Sequence, residues 1–254
     1  MTKRIRVIYP VWVPEETLAE DIAIQIPKEL IRPEYEVDFA CTRSGATMVD
    51  SHYEVLLMDM FVLEAGLRAA ADGVDAICIN TVSDSGVAAL RSRLSIPVIG
   101  PGLTSFHTAC MLGRKFSIIT VWDRWKILYE KGLNEYRLWD HVASIRSTDT
   151  GPDPQKLLAG KEDDVFPKLE KEARLAIEED GADVIVLGST TMHRSHRYLQ
   201  ERLPVPVINP GLIAHKLCEM FLELGLCHSK NAYAEPLQPN DELLFTTLGN
   251  VGKD

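Results

Sequence analysis

The chain has 254 residues and a formal net charge of −10 at pH 7, with 46% hydrophobic and 25% charged residues. This length allows one large domain or two half-size lobes, and the composition is ordinary for a soluble globular protein. The acidic balance argues against nucleic acids and anionic membrane surfaces as partners, because both repel a negative protein. No apolar run approaches the length of a membrane span, and no signal region precedes the first strand-like segment, so we expect a cytoplasmic protein.

In the first half of the chain, predicted strands alternate with predicted helices. Buried parallel strands are near-continuous apolar runs, whereas amphipathic helices repeat apolar residues every three to four positions. Gly73 is a natural stop for the first long helix. On these patterns we predict strands at 4–9, 37–41, 76–80 and 98–99, a loop at 42–50, and helices at 53–72 and 87–94.

The second half repeats this alternation. A stretch with Gly and Pro at 151–154 is typical of an irregular segment, so 138–160 is predicted to be a long loop. Residues from 231 onward read as a tail that packs onto a neighbour or remains loose. The predicted strands are 115–121, 184–187 and 207–208, and the predicted helices are 161–180, 195–203 and 213–226.

Two stretches of sequence occur twice. Gly-Val-Asp-Ala-Ile-Cys-Ile-Asn-Thr at 73–81 matches Gly-Ala-Asp-Val-Ile-Val-Leu-Gly-Ser at 181–189, and the run at 96–103 matches that at 205–212. We therefore predict an α/β fold of two similar parallel-sheet lobes related by a pseudo-twofold axis. The expected division is 1–112, 113–212 and a tail at 227–254, with the helix 213–226 packing back on lobe 1.

The repeat also predicts where the site lies. Ligands of open parallel sheets bind outside the carboxyl ends of the strands. Thr81 and Ser189 each follow a buried strand at equivalent positions of the two copies. We therefore expect the site in the cleft between the lobes, with a hydroxyl on each side of the substrate.

This arrangement resembles the Asp/Glu/hydantoin racemase superfamily, which includes hydantoin and allantoin racemases, maleate isomerase and arylmalonate decarboxylase. The resemblance spans roughly residues 4 to 226. It is carried by the strand entries at 73–76 and 97–100, by the strand at 116–120, and by the run at 184–188. It implies a cofactor-independent enzyme with its active site between the lobes.

The catalytic positions depart from that superfamily. In the racemases a cysteine opens each site loop, and the two thiols act as base and acid on opposite faces of the substrate α-carbon. Here Thr81 and Ser189 occupy those positions, and Tyr9 stands where the hydantoin racemase pattern has an Asn. A hydroxyl is a far weaker acid than a thiol, whose pKa is about 8.5, so the two-thiol mechanism is excluded.

Three mechanisms remain open. In the first, Asp84 and His193 act as an acid–base pair on opposite faces, although Asp84 could equally be a helix cap and His193 a surface residue. In the second, Ser189 is a nucleophile activated by His193, with the backbone N–H groups of Thr190 and Thr191 as oxyanion hole, which would make a hydrolase of amides, lactams or imides. In the third, the hydroxyl-lined cleft stabilises the carbanion of a decarboxylation.

The remaining predicted site residues bind the substrate, a small carboxylate or a cyclic amide. Loops rich in hydroxyl and N–H groups at helix starts suit an anion, although plain capping explains them too. Trp122 would form an aromatic wall, or else an interlobe packing contact. The predicted binding residues are Tyr9, Thr47, Asn80, Ser83, Ser85, Trp122, Gly188, Thr190 and Thr191.

No cofactor or metal is expected. His193 and His196 lack a third ligand nearby, and the five cysteines are unclustered. We lead with racemase or isomerase chemistry carried by groups other than cysteine, and keep a hydrolase or decarboxylase as the alternative and a non-catalytic metabolite binder as the third. Members of the superfamily are often dimers or larger, so the resemblance implies a homo-oligomer, which the apolar face of the helix 213–226 would allow. The cysteines are Cys41, Cys78, Cys110, Cys218 and Cys227.

Overall fold

A computed structural model describes residues 2–14, 16, 18, 21, 24–43, 48–151 and 162–248. The described strands form two four-stranded sheets in which every pairing is parallel. Their orders are β2-β1-β3-β4 and β6-β5-β7-β8, as the predicted two-lobe α/β fold requires. The strands are β1 Lys3–Tyr9, β2 Tyr35–Cys41, β3 Ala76–Ile79, β4 Val98–Ile99, β5 Phe116–Thr120, β6 Val142–Ser147, β7 Val184–Leu187 and β8 Val207–Ile208.

Eight helices with defined bounds surround the sheets in the described part of the chain. Within 16–25, the described residues between β1 and β2 are helical too. None of the described helices is long and apolar enough to cross a membrane. The helices are α1 His52–Ala71, α2 Val87–Arg93, α3 Pro101–Leu112, α4 Lys126–Tyr136, α5 Glu162–Glu178, α6 His193–Gln200, α7 Pro210–Leu224 and α8 Asp241–Leu248.

The sequence repeat is also a repeat of hydrogen bonds. The Asp75 carboxylate accepts from the backbone N–H of Arg4 at 2.7 Å, and the Asp183 carboxylate accepts from that of Lys115 at 3.1 Å. Each aspartate thereby ties the start of a central strand to the strand beside it. Gly73 and Gly181 precede them with φ of +77° and +75°, a conformation that favours glycine.

The helix that follows the last strand of each sheet packs on the other sheet. α7 lies against β3 and β4, and its Cys218 is buried in the core of the first sheet. α3 lies against β5 and β7, where Phe106 stacks on Phe116 with ring centroids 5.5 Å apart. The apolar face of α7, which would have allowed an oligomer contact, packs on the first sheet of the same chain.

The segment 138–160 is not the continuous loop that its Gly and Pro residues predicted. Residues 142–147 form β6, the edge strand of the second sheet, and a 3-10 turn precedes it at Trp139–His141. Every residue of β6 is half-buried, so the strand lacks the apolar run that marks the central strands. Arg146 anchors it through an ion pair with Asp180 at 2.6 Å.

The described part of the tail packs on its own lobe 1. The Lys230 ammonium group donates to three carbonyl oxygens around the end of α2, at 2.7 to 3.0 Å. The His228 ring accepts a hydrogen bond from the Val98 backbone N–H at 2.9 Å. Arg93 and Asp241 form an ion pair at 2.6 Å, and α8 lies on α1. Residues 227–248 thus form a strap across α1, α2 and β4.

Candidate functional site

A cavity of about 110 Å³ lies between the lobes, at the carboxyl ends of the strands. Most of its wall is apolar and comes from both lobes, including Val13, Met58, Val121, Trp125 and Leu128. Seven of the predicted binding or catalytic residues that line it have hydroxyl or amide side chains: Tyr9, Asn80, Thr81, Ser83, Ser189, Thr190 and Thr191. Gly188 also lines it.

The loop after β3 presents a chain of hydroxyl groups. The Thr81 hydroxyl lies 3.0 Å from that of Ser83, which lies 2.9 Å from that of Ser85. Ser85 is fully buried and stands behind the chain. Because every hydroxyl both donates and accepts, these linked hydroxyls can direct a donor towards a substrate oxygen or an acceptor towards a substrate N–H group.

The loop after β7 carries the equivalent feature. The Ser189 hydroxyl accepts from the Thr191 N–H at 3.2 Å and lies 2.9 Å from the Thr191 hydroxyl. The backbone therefore turns at Ser189 as an N-cap of the 3-10 turn Thr190–Met192. The N–H of Thr191 is thereby engaged and does not form the predicted oxyanion hole.

Asp84 is not part of this cavity among the residues described. Its carboxylate accepts hydrogen bonds from the backbone N–H groups of Gly102 and Leu103 at 2.8 and 2.7 Å, and from the Tyr136 hydroxyl at 2.7 Å. Burial raises the pKa of Asp84, and these donors oppose that shift. Asp84 thus caps the start of α3 from outside that helix, whereas the N-cap of α2, the helix that follows Asp84 in sequence, is Gly86. The expected pair of Asp84 and His193 across the cleft is not formed.

His193 is buried rather than on the surface, and it also lies outside the described cavity lining. Its Nδ1 is 3.0 Å from the carbonyl oxygen of Thr190, and its Nε2 lies 3.4 Å from Asp21 Oδ1. Burial lowers the pKa of His193, while the Asp21 charge opposes that shift. Neither ring nitrogen bonds to Ser189, so the Ser–His dyad of the hydrolase alternative is not assembled.

Two residues that the sequence analysis missed, Asp21 and Gln25, form a buried polar group with Tyr9. The Tyr9 hydroxyl lies 2.8 Å from Asp21 Oδ2 and 2.6 Å from Gln25 Oε1. Gln25 also bonds to the Asn80 amide at 2.6 Å. Burial and the Asp21 charge raise the pKa of Tyr9. Asp21 is one of four acidic residues between positions 15 and 21, so no local pattern in the sequence distinguishes it.

One further predicted binding residue, Trp122, is placed differently from the prediction. Trp122 lies outside the described lining and makes an edge contact with Trp125, whose ring supplies the aromatic wall instead. The contact arises because the Asp123–Trp125 turn follows β5. Thr47 lies outside the described residues. The structure thus brings together eight of the predicted residues and leaves Asp84, His193, Ser85 and Trp122 behind or beside the cavity.

None of the five cysteines contributes to the cavity wall that the structure describes. Cys78 is buried in β3 and Cys218 in α7. Burial raises the pKa of Cys41, Cys110 and Cys218, which makes these thiols less reactive. Within the described ranges, no three His, Cys, Asp or Glu side chains converge as a metal site would require.

Comparisons with known proteins agree with this architecture. The family described as Asp/Glu/Hydantoin racemase matches residues 16–218. The chain is 31% identical over 223 residues to hydantoin racemase from Pseudomonas sp. (strain NS671), covering 85% of this chain and 86% of that one. Its fold is similar to that of allantoin racemase from Klebsiella pneumoniae, with a TM-score of 0.83 and 29% identity over 94% of this chain and 95% of that one.

A more distant likeness concerns the fold alone. The structure of a liganded arylmalonate decarboxylase mutant superposes with a TM-score of 0.64 at 16% identity, over 90% of this chain and 96% of that one. The family match spans well over half of the chain, and the repeat, the two parallel sheets and the interlobe cavity accompany it. The chain belongs to the Asp/Glu/hydantoin racemase family.

Proposed function

We propose that the protein catalyses proton transfer at a carbon atom beside a carbonyl group, on a small cyclic amide of the hydantoin type, without cofactor or thiol. The reaction class is racemisation or isomerisation. The observation that carries the proposal is the pair of hydroxyl loops at 81–83 and 189–191, which come from equivalent strand ends and line one interlobe cavity. Its relatives include proteins described as hydantoin racemase and allantoin racemase.

The chemistry requires a site that stabilises an enolate. Removing a proton beside a carbonyl leaves negative charge on the carbonyl oxygen, and preorganised donors in a water-poor cavity lower the energy of that charge. The hydroxyls of Thr81, Ser83 and Ser189 are such donors. The apolar walls strengthen each hydrogen bond by excluding water. The same loops would hold the ring carbonyls of a planar cyclic amide from two sides.

The hydrolase alternative has less support. A nucleophilic serine needs an adjacent base, and His193 is directed at Thr190 and Asp21 instead of Ser189. A decarboxylase uses the same stabilisation of negative charge and differs only in the bond that breaks. The reaction product therefore separates the three alternatives.

The test is proton NMR in deuterated water with optically pure 5-substituted hydantoins, allantoin, maleate, aspartate and an aryl malonate. We expect deuterium at C5 of an otherwise intact hydantoin or allantoin, with loss of optical rotation. A ring-opened product would instead establish a hydrolase, and loss of carbon dioxide from the aryl malonate a decarboxylase. Ligand-induced thermal stabilisation without any product would establish a binding protein.

A further inference from the structure

The pair of Asp21 and His193 is buried between the two lobes, directly behind Tyr9. Asp21 and Tyr9 belong to lobe 1, and His193 begins α6 of lobe 2. Tyr9 lines the cavity, whereas Asp21 and His193 lie outside its described lining. His193 Nε2 is fully buried and has no hydrogen-bond partner among the described residues, although Asp21 Oδ1 lies 3.4 Å away.

The buried group of Tyr9, Asp21 and His193 has one proton fewer than its hydrogen bonds require. A carbonyl oxygen can only accept, so the contact with Thr190 O places a proton on His193 Nδ1. A neutral imidazole has no second N–H, so Nε2 then directs a lone pair at Asp21 Oδ1. At the other end, the single Tyr9 proton faces two acceptor oxygens, Asp21 Oδ2 and Gln25 Oε1. Both conflicts involve an ionised Asp21 beside a neutral His193.

One added proton removes one of the two conflicts, whether it binds to His193 or to Asp21. On His193 it lets Nε2 donate to Asp21 Oδ1. On Asp21 Oδ2 it lets the carboxyl donate to the Tyr9 oxygen, while the Tyr9 hydroxyl donates to Gln25. We propose that Asp21 and His193 share one proton, and that Tyr9 passes it between this pair and the substrate carbon. This inference rests on the proposed function for the role of Tyr9 and on geometry alone for the shared proton.

The proton transfer balances without any other reactant. With Asp21 ionised and His193 neutral, the substrate C–H bond breaks and its proton goes to the Tyr9 oxygen. At the same time the Tyr9 O–H bond breaks and its proton goes to Asp21 Oδ2. The C–H electron pair stays on the substrate as an enolate, so one negative charge moves from Asp21 to the substrate. The reverse step returns a proton to the carbon, and it gives the opposite enantiomer when the planar enolate has turned its other face towards Tyr9. Tyr9 is the catalytic residue, and Asp21 and His193 are positioning residues that act through it.

The surroundings of Asp21 and His193 have opposing effects on protonation of the His193 ring. His193 is buried, which disfavours its charged form, while the Asp21 charge favours it. The other charged group acting on the ring is Arg194, whose charge opposes protonation of the ring. On the Asp21 side the neighbours are the Tyr9 hydroxyl and, next to it, the neutral amides of Gln25 and Asn80.

Nitrogen-15 NMR of the histidine side chains tests the shared proton without a substrate. We expect the pKa of His193 to fall by about one pH unit or more in Asp21→Asn, because the opposing charge is lost. We expect it to rise in Tyr9→Phe, because the Asp21 charge, without the Tyr9 hydrogen bond, acts more strongly on the His193 ring. Opposite shifts distinguish proton sharing from a structural role. The side-chain signal that is missing from the spectrum of His193→Gln is the one that belongs to His193.

Two controls are built into the chain. His215 is a second buried histidine beside a carboxylate, with Nε2 3.1 Å from Glu219 Oε1, and it lies outside the described cavity lining. Its signal should not move in either variant. Tyr129 is a second buried phenol on the cavity wall, bonded to the Thr120 hydroxyl, so Tyr129→Phe should leave the His193 pKa in place. Identical His193 titration in wild type and Asp21→Asn would overturn the shared proton.

Activity then tests the transfer through Tyr9. We expect Tyr9→Phe to slow deuterium exchange into the substrate about a hundredfold or more, and Asp21→Asn to displace the pH profile of exchange. Exchange at the wild-type rate in Tyr9→Phe would refute the relay and leave the proposed function standing. Opposite NMR shifts with no exchange of any substrate by the wild type would refute the proposed function and the catalytic role of Tyr9, and would leave the shared proton standing.

Discussion

The Thr190 hydroxyl donates a hydrogen bond to the backbone carbonyl oxygen of Asn80 at 3.0 Å, and both groups are buried. Asn80 directly follows β3 of lobe 1, and Thr190 lies three residues after the end of β7 of lobe 2. The bond therefore joins the two strand ends that carry the site loops. It fixes the position of Thr81 relative to Ser189 at the wall of the cavity.

Replacing Thr190 with valine tests this link. Valine keeps the shape of threonine but leaves the Asn80 carbonyl oxygen buried without a donor, which costs about 1 to 3 kcal/mol. We expect that loss in the free energy of unfolding, measured with urea. Thr190→Ser keeps the hydroxyl and should recover most of it. Equal stability of Thr190→Val and wild type would show that the bond contributes nothing.

Asp84 should behave as a helix cap rather than as a catalytic acid. We expect Asp84→Ala to lower the free energy of unfolding by about 2 kcal/mol, because two backbone N–H groups of α3 lose a charged acceptor. The matched variant is Asn209→Ala, which removes the cap of α7, where Asn209 Oδ1 accepts from the Gly211 N–H at 3.1 Å. An Asp84→Ala protein of wild-type stability with abolished turnover would restore the catalytic interpretation.

The two hydroxyls at the cysteine positions of the family offer a gain-of-function test. A thiol has a pKa of about 8.5 and forms a thiolate near neutral pH, which a hydroxyl does not. We expect the double variant Thr81→Cys with Ser189→Cys to exchange deuterium faster than wild type, and iodoacetamide to abolish the gain. The control is Ser85→Cys, behind the cavity. A double variant no faster than wild type would show that the loops do not place a thiol against the substrate carbon.

The strap over lobe 1 should loosen in acid. His228 accepts a hydrogen bond from the Val98 N–H, so the accepting nitrogen must be unprotonated, and burial lowers the pKa of His228 from 6.5 to about 4. A histidine whose pKa is lower in the folded state than in the unfolded state makes its full contribution to stability at pH values above the pKa of the unfolded state. That contribution is therefore complete above pH 6.5 and is lost as the pH falls towards 4.

Amide hydrogen exchange across that pH range measures the effect. After correction for the intrinsic rate, we expect the protection of Val98 and of the strap to fall with pH in the wild type. His228→Gln offers an oxygen acceptor that does not titrate, so its protection should change less. The same pH dependence in both proteins would assign the loosening to other groups.

The fold was predictable because the residues that define each copy of the repeat are close together in the sequence. Gly73 and Gly181, the two aspartates after them and the apolar strands all recur at fixed spacing, and each copy makes the same hydrogen bonds. Strand β6 was missed because its residues are half-buried and lack an apolar run.

The position of the site was predictable because it depends on where the parallel strands end. The carboxyl ends of the strands placed Thr81 and Ser189, but side-chain direction depends on tertiary neighbours. Asp84 turns towards the start of α3, where Gly100 leaves no room for a side chain: a Cβ there would lie 2.4 Å from Asp84 Oδ1. The partner of His193 is Asp21, more than 170 residues earlier in the chain, which no local pattern indicates.

We expect the protein to exchange a carbon-bound proton of its substrate without using a thiol. An optically pure 5-substituted hydantoin is incubated in deuterated water with the protein before and after treatment with iodoacetamide, and deuterium at C5 is followed by proton NMR. We predict uptake at the same rate in both samples, with the ring intact. Uptake that alkylation abolishes, or hydrolysis of the ring in place of uptake, would contradict the account.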